Sequence, residues 1–145
     1  VEAGHRRTCD ELGMALMAYA PLGYGFLAGV VNKPGSQSDN DIRGKFPRFF
    51  KENYAANREC VAHLEGVAAD KAATAAQISL AWLLAQKDNV FPIPGCKSRK
   101  HLVENLDAAD VELTNEDLTR LDKLFYVNAA KGNRYPPNGM KRVNL

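Results

Sequence analysis

The stretch Val90-Phe-Pro-Ile-Pro-Gly-Cys-Lys-Ser-Arg-Lys-His-Leu-Val-Glu-Asn-Leu-Asp-Ala-Ala109 constrains the fold of this 145-residue chain more than any other part, because it joins a short apolar run to a helix through a Pro-Gly turn. Val90 to Ile93 is a continuous apolar run of strand length, and Pro94-Gly95 ends it. Ser98 is placed to cap the next helix, in which Leu102, Leu106 and Ala109 recur at helical spacing. The helix therefore begins where the strand ends. Its first N–H groups and its dipole favour an anion there. Lys97, Arg99, Lys100 and His101 add side-chain cations within the same turn, so the segment suits a phosphate, although a basic helix start is also an ordinary solvated surface.

The rest of the chain is richer in helices than in strands. Residues 2 to 12 carry a helical pattern with Cys9 and Leu12 directed inward, stopped by Gly13. Met14 to Tyr19 reads as a buried strand and Ala20 to Gly29 as a glycine-rich turn. Val30 to Glu52 reads as a polar loop centred on Pro34-Gly-Ser-Gln-Ser-Asp-Asn-Asp41, long enough for a lid or binding loop. Asn53 is placed to cap a helix running to Lys71, with Cys60, Val61, Leu64 and Ala68 on one face. Thr74-x-x-Gln77 is a capping box, and the Ile78, Leu80, Ala81, Trp82, Leu83 and Leu84 that follow are apolar nearly all round, which implies deep burial. Thr114-x-x-Asp117 opens a last helix with Leu118, Leu121 and Phe125, and Asn128 to Leu145 is a tail rich in Pro, Gly and Asn. Two parallel strands alone leave open rows of N–H and C=O groups, so this set is expected to be stable only when docked on further strands.

Charge and composition narrow the function classes. Nineteen basic against seventeen acidic residues give a net charge of +2, too little for a nucleic-acid or membrane-surface protein. With 46% hydrophobic residues, no apolar run of membrane-spanning length and no signal-peptide core at Val1-Glu-Ala-Gly-His-Arg-Arg, the cytoplasm is the expected location. Cys9, Cys60 and Cys96 are odd in number and suit reduced thiols. His5 with Cys9 and Cys60 with His63 have spacings that could present zinc ligands, but buried thiols and surface imidazoles explain them better, so no metal is expected. Cys96 stands at a helix N-terminus beside Lys97, a setting that favours a thiolate; it reads as a ligand-lining residue, with redox sensing as the alternative.

Two blocks carry a resemblance. Ile93-Pro-Gly95 followed by Leu102-x-Glu104-Asn105 resembles the last strand-and-helix unit of the aldo-keto reductases, where this segment grips the 2′-phosphate of NADPH. Met14-Ala-Leu-Met-Ala-Tyr-Ala-Pro-Leu-Gly-Tyr-Gly-Phe-Leu-Ala-Gly29 resembles the family's preceding strand and its Ser-Pro-Leu-Gly-x-Gly-x-Leu loop, which contacts the pyrophosphate. Asp41-Ile-Arg43, Pro47-Arg-Phe49, Arg134-Tyr-Pro136 and Gly139-Met140 also match in order and spacing, so the resemblance covers nearly the whole chain.

The resemblance implies the C-terminal sector, the last two strands and their helices, of a (β/α)8 TIM barrel of roughly 250 residues or more. Residues 1 to 145 would be the C-terminal part of a single barrel domain whose first six strands lie outside this sequence. Val1 is not an initiator methionine, and the expectation is a piece of a longer product. The family's catalytic aspartate, tyrosine, lysine and histidine come from early strands, so no catalytic residue is expected here, and the piece alone should be inactive.

By position, the cofactor contacts implied for NADP(H) are Ala20, Pro21, Leu22, Gly23, Gly25 and Leu27 in the first loop, and Gly95, Cys96, Lys97, Arg99, His101, Glu104 and Asn105 in the second. Ala20 stands where relatives have serine, which leaves only backbone contacts there. Glu104 and Asn105 align with the adenine-binding pair. His101 replaces an arginine or glutamine, and an imidazole can stack on adenine but carries full charge only below about pH 6.5. Tyr19 reads as core and Tyr24 as a wall of the nicotinamide and pyrophosphate site. The implied function is NADPH-dependent reduction of aldehyde or ketone carbonyls, with a small carbonyl substrate and the N-terminal part of the barrel as partners. Two alternatives stand beside it: a non-catalytic nucleotide-binding relative of the same barrel, and a free-standing helical anion-binding protein.

Overall fold

The computed structural model describes residues 4–31, 40–126 and 128–143. In chain order these form helix α1 (His5–Glu11), strand β1 (Leu16–Tyr19), α2 (Lys51–Asp70), α3 (Ala75–Leu84), strand β2 (Val90–Ile93), α4 (Arg99–Asp107), α5 (Asn115–Leu124) and the short α6 (Pro137–Met140), joined by several 3₁₀ turns. The two strands pair in parallel, Leu16 opposite Val90 and Tyr19 opposite Ile93, so their C-terminal ends are level. The N–H of Leu16 opens the ladder by donating to the Asn89 carbonyl at 2.7 Å. The strand starts at Leu16 and not at the expected Met14, whose N–H donates back to the Cys9 carbonyl at 2.8 Å, closing α1.

Helix α2 is the spine of the packing. Its N-terminal half contributes Tyr54 and Val61 to a cluster with Phe26, Val31, Phe46 and Phe49. Its C-terminal half places Leu64, Val67 and Ala68 against Ile78, Trp82 and Leu121. Leu64, Ile78 and Leu121 have no exposed surface, and truncating a side chain buried to that extent typically costs about 2–5 kcal/mol. Both sequence capping boxes form: Thr74 accepts from the Gln77 N–H at 3.2 Å while Gln77 Oε1 accepts from the Thr74 N–H at 2.9 Å, and Thr114 pairs with Asp117 in the same way. Asn53 does not cap α2. The helix begins two residues earlier, after Phe50, and the Asn53 amide donates to the Pro47 carbonyl at 2.9 Å.

Several expected burials are overturned. Leu12 is exposed rather than inward, as are Met17 and Tyr19 on β1 and Phe91 and Ile93 on β2; Leu102 and Leu106, the apolar positions of α4, are exposed too. Ala109 and Leu84 are exposed as well. Each strand buries the side that faces the helices, through Ala18 and Val90, and leaves Met17, Phe91 and Ile93 of the other side exposed. The Val30–Glu52 stretch is also more ordered than a polar loop. Its described part folds into 3₁₀ turns at Ile42–Lys45 and Pro47–Phe49 that bury Phe46 and Phe49; the Pro34–Asp39 portion lies outside the described residues.

An ion pair between the buried Asp117 and the half-buried Lys71 ties the end of α2 to the start of α5. Lys71 Nζ lies 2.6 Å from Asp117 Oδ2, which also accepts from the Thr114 hydroxyl at 2.7 Å and the Thr114 N–H at 2.8 Å. The Lys71 hydrogen bond first, then those of Thr114, bring the Asp117 pKa down to about 2. A lowered native pKa adds stability that is complete above the ordinary carboxylate pKa of about 3.9 and is lost as pH falls through about 2. Asp117→Ala in the intact protein is expected to lower stability by about 1–3 kcal/mol at neutral pH. Urea titrations at pH 7 and pH 2.5 should show the gap between wild type and variant narrowing in acid.

Candidate functional site

The level ends of β1 and β2 send two loops off the same edge of the sheet. The first is a tight glycine turn. Gly23 donates to the Ala20 carbonyl at 2.9 Å, Gly25 to Leu22 at 3.0 Å and Leu27 to Leu22 at 3.2 Å. Closing it requires left-handed backbone at Gly23 and Gly25, with φ of 55° and 87°, and also at Ala20 and Tyr24. Leu27 points away from this edge and packs on both core clusters, so its role here is to anchor the turn.

The second loop, Pro94 to Ser98, delivers the start of α4. The Ser98 hydroxyl accepts from the His101 N–H at 3.2 Å, which leaves the N–H groups of Arg99 and Lys100 with no intrahelical partner. Space over Gly95 is open, since a Cβ built there would meet no atom within 4 Å. Cys96, Lys97, Arg99 and His101 are all exposed, and none of Lys97, Arg99 and Lys100 is paired with a carboxylate of the described residues. His101 Nδ1 lies 3.3 Å from Glu104 Oε2, and Asn105 is half-buried beside them.

The segment after Asp41 leans on the first loop. The Asp41 carboxylate accepts from Arg43 Nε at 2.9 Å, and Arg43 Nη1 donates to the Tyr24 carbonyl at 3.4 Å. Hydrogen bonds from the Arg43 side chain, then from its backbone N–H, hold Asp41 below the usual carboxylate pKa, with a smaller pull from the charges of Arg43 and Lys97. Lys97 is thus within electrostatic reach of Asp41. The arrangement offers a tight glycine turn at one end, open cations and free N–H groups at the other, and a charged segment beside the turn, which is a donor set matched to an extended phosphorylated ligand. Among the described residues no three His, Cys, Asp or Glu side chains are grouped to hold a metal, and no helix is long and apolar enough to cross a membrane.

The structure corrects the reading of Tyr19 as core. Its ring is 63% exposed at the C-terminal end of β1, with its hydroxyl 2.8 Å from that of Tyr24. The signal available in sequence was alternation: Ala18 turns toward the helices, so Tyr19 must turn to the other face. Tyr135 was missed altogether as part of this region; it packs on Phe46, which packs on Tyr24.

Comparison with known proteins gives this geometry a family. The model of the aldo/keto reductase family matches residues 1–125. The chain is 39% identical over 142 residues to the NADP(+) aldo-keto reductase yakc of Schizosaccharomyces pombe, an alignment covering 98% of this chain and 42% of that protein. It is 38% identical over 127 residues to the aldo-keto reductase str7 of Strobilurus tenacellus, covering 88% of this chain and 38% of that one. The chain belongs to the aldo/keto reductase family. It spans about two-fifths of the length of these curated relatives.

The thiols provide a direct check on this placement. Cys96 is exposed while Cys9 and Cys60 are half-buried. Cys96 should therefore react with a maleimide several-fold faster than either, and equal rates at all three, resolved by peptide mass spectrometry, would contradict the open loop described here.

Proposed function

We propose that this chain is the C-terminal sector of a (β/α)8 barrel and that the complete protein is an NADPH-dependent oxidoreductase reducing aldehyde or ketone carbonyls to alcohols. The observation that carries the reading is the parallel register that sets the glycine turn and the basic start of α4 side by side at the C-terminal edge of the sheet, the edge where barrels of this class place their sites. The exposed apolar faces of β1, β2 and α4 support it, because further strands supplied by the N-terminal part of the barrel would cover them.

The residues present fit the cofactor. The backbone of Ala20 to Gly25, with Pro21 and Leu22, would lie against the pyrophosphate. Gly95 admits a ligand to the backbone, and Cys96 lines its approach. Lys97 and Arg99 would meet the 2′-phosphate, and His101, Glu104 and Asn105 the adenosine. The hydride for the carbonyl carbon is supplied by the reduced nicotinamide when it is bound. The task of this sector is to bind and orient, and the proton for the alcohol oxygen comes from a group outside these residues.

Two outcomes follow. The isolated 145-residue chain is expected to show no saturable oxidation of NADPH with any aldehyde, in contrast to the full-length protein, since it carries the cofactor cradle but not the proton donor. In the full-length protein, a 2′-phosphate gains charge-assisted hydrogen bonds from Lys97 and Arg99 worth about 1.5–3 kcal/mol each before solvent screening. The dissociation constant for NADH should accordingly exceed that for NADPH at least tenfold, a margin that Lys97→Ala reduces and that His101→Arg, by adding a permanent charge, enlarges. A ratio near one in wild type would overturn the assignment of the α4 start.

A further inference from the structure

Pro47-Arg-Phe49 and Arg134-Tyr-Pro136 take no part in the cofactor cradle, yet the fold brings them together. The buried Asn57 amide on α2 donates to the carbonyls of both Arg48 and Lys131. Gly132, at φ 85°, lets the tail run against the backbone of Pro47. Across this junction Arg48 Nε donates to the Gly132 carbonyl at 3.4 Å, two residues before Arg134. Phe46 and Phe49, on either side of Arg48, are buried with Tyr54 and Val61 of α2. The junction is therefore carried by the helix side of the molecule and not by the outward face of the strands.

The Arg48 side chain is half-buried, and beyond that one long contact it makes no hydrogen bond among the described residues. Burial first, then the like charge of Arg134, pulls its pKa down, so the second guanidinium stands within electrostatic reach of the first. Both stay protonated. Neither pairs with a carboxylate of the described residues. The adjoining chain has none to offer: Ile42 to Lys51 contains no acidic residue, Asp41 is engaged by Arg43, and nothing after Asp122 is acidic. Two like charges partly removed from water are costly to hold together, and an anion shared between them offsets the repulsion and fills the open donors. The pair also adjoins the candidate site. Tyr135, next to Arg134, packs edge-on against Phe46 with ring centroids 5.9 Å apart, and Phe46 lies 5.0 Å from the Tyr24 ring in the glycine turn.

We propose that Arg48 and Arg134 form an anion-binding fork beside the site, and that it selects carbonyl substrates bearing a carboxylate. The substrate class rests on the reductase reading above; the anion site does not. A planar carboxylate takes two parallel N–H bonds from one guanidinium while its charge is shared with the other. The cofactor phosphates have their own cations at Lys97 and Arg99, which leaves this fork to the substrate.

The test uses the full-length protein with NADPH and the semialdehydes of succinic, glutaric and adipic acid, each against its methyl ester, which keeps the carbonyl and removes the charge. For at least one chain length kcat/KM should favour the acid by roughly tenfold or more, the effect of one charge-assisted hydrogen bond. The margin should shrink as salt is raised. Arg134→Gln, at an exposed position, should raise the KM of that acid about tenfold and that of its ester far less, with the loss in KM rather than kcat. Arg48→Gln should act in the same direction, and Arg48→Lys should keep part of the preference. Acid and ester reduced equally well at every chain length, or losses shared equally between them in Arg134→Gln, would overturn the proposal. So would a weaker NADPH affinity in Arg134→Gln, which would give the fork to a cofactor phosphate, or a lower melting temperature with the acid preference intact, which would give it to a carboxylate of the protein itself. Titration calorimetry with glutarate reads the fork without turnover. Binding that Arg134→Gln abolishes, in a protein that reduces neither acid nor ester, would uphold the anion site and defeat the reductase reading; with neither turnover nor such binding, both fall.

Discussion

Everything functional in this chain depends on one short parallel ladder. Four residues of β1 pair with four of β2, and the register that puts Tyr19 opposite Ile93 makes the two strands stop together. A shift of β1 by one residue would turn Ala18 out of the helix-facing core and bring Met17 into it. It would also stagger the two loops, and the glycine turn would no longer stand beside the start of α4. The ladder is extended below by Asn89, whose carbonyl accepts from Leu16 and whose amide donates to the Met14 carbonyl at 3.0 Å and to Asp10 at 2.9 Å. Helix α1 is thus fastened to the entry of both strands.

The second requirement is that the segments between the strands return to the same edge. Helix α2 achieves this by entering both apolar clusters, and polar anchors fix what hangs from it. The buried Asn57 amide donates to the carbonyls of Arg48 and Lys131, each at 3.0 Å, while its Oδ1 accepts from the Lys131 N–H at 2.7 Å. A single side chain therefore binds the tail to the turn before α2. Gly132 lets the tail approach this closely, since a Cβ there would lie 2.7 Å from the Asn53 amide and 3.0 Å from the Pro47 backbone. Phe46 and Tyr135 meet above these anchors, which is how loop and tail reach Tyr24.

The sequence disclosed what local chemistry decides. Ser98, Thr74 and Thr114 cap their helices because a hydroxyl three residues before a free N–H has one good partner. Val90 to Ile93 form the strand that their unbroken apolarity implied. It was less informative where a distant contact competes with a local one. Asn53 is a good capping residue by type, yet the Pro47 carbonyl claims its amide and the helix starts earlier. Tyr19 and Leu12 look like core residues by type, but both are largely exposed, and Tyr19 meets Tyr24 rather than an apolar core. The positions matched by motif lie on the two loops that leave one edge of the sheet, except Leu27, whose side chain turns into the core.

The exposed apolar faces and the candidate site share a boundary, and this couples assembly to function. The outward side of β1 carries Met17 and Tyr19, and that of β2 carries Phe91 and Ile93, so the surface that lacks a cover runs directly into the edge from which both loops leave. Removing large apolar side chains from water is worth roughly 1.5–3 kcal/mol each when burial is complete. The strands that supply that burial also close the ladder's open N–H and C=O rows. Whatever covers this face therefore stabilises the sheet and walls the site in the same step. A change at Met17 or Phe91, outside either loop, acts on the candidate site through that shared face.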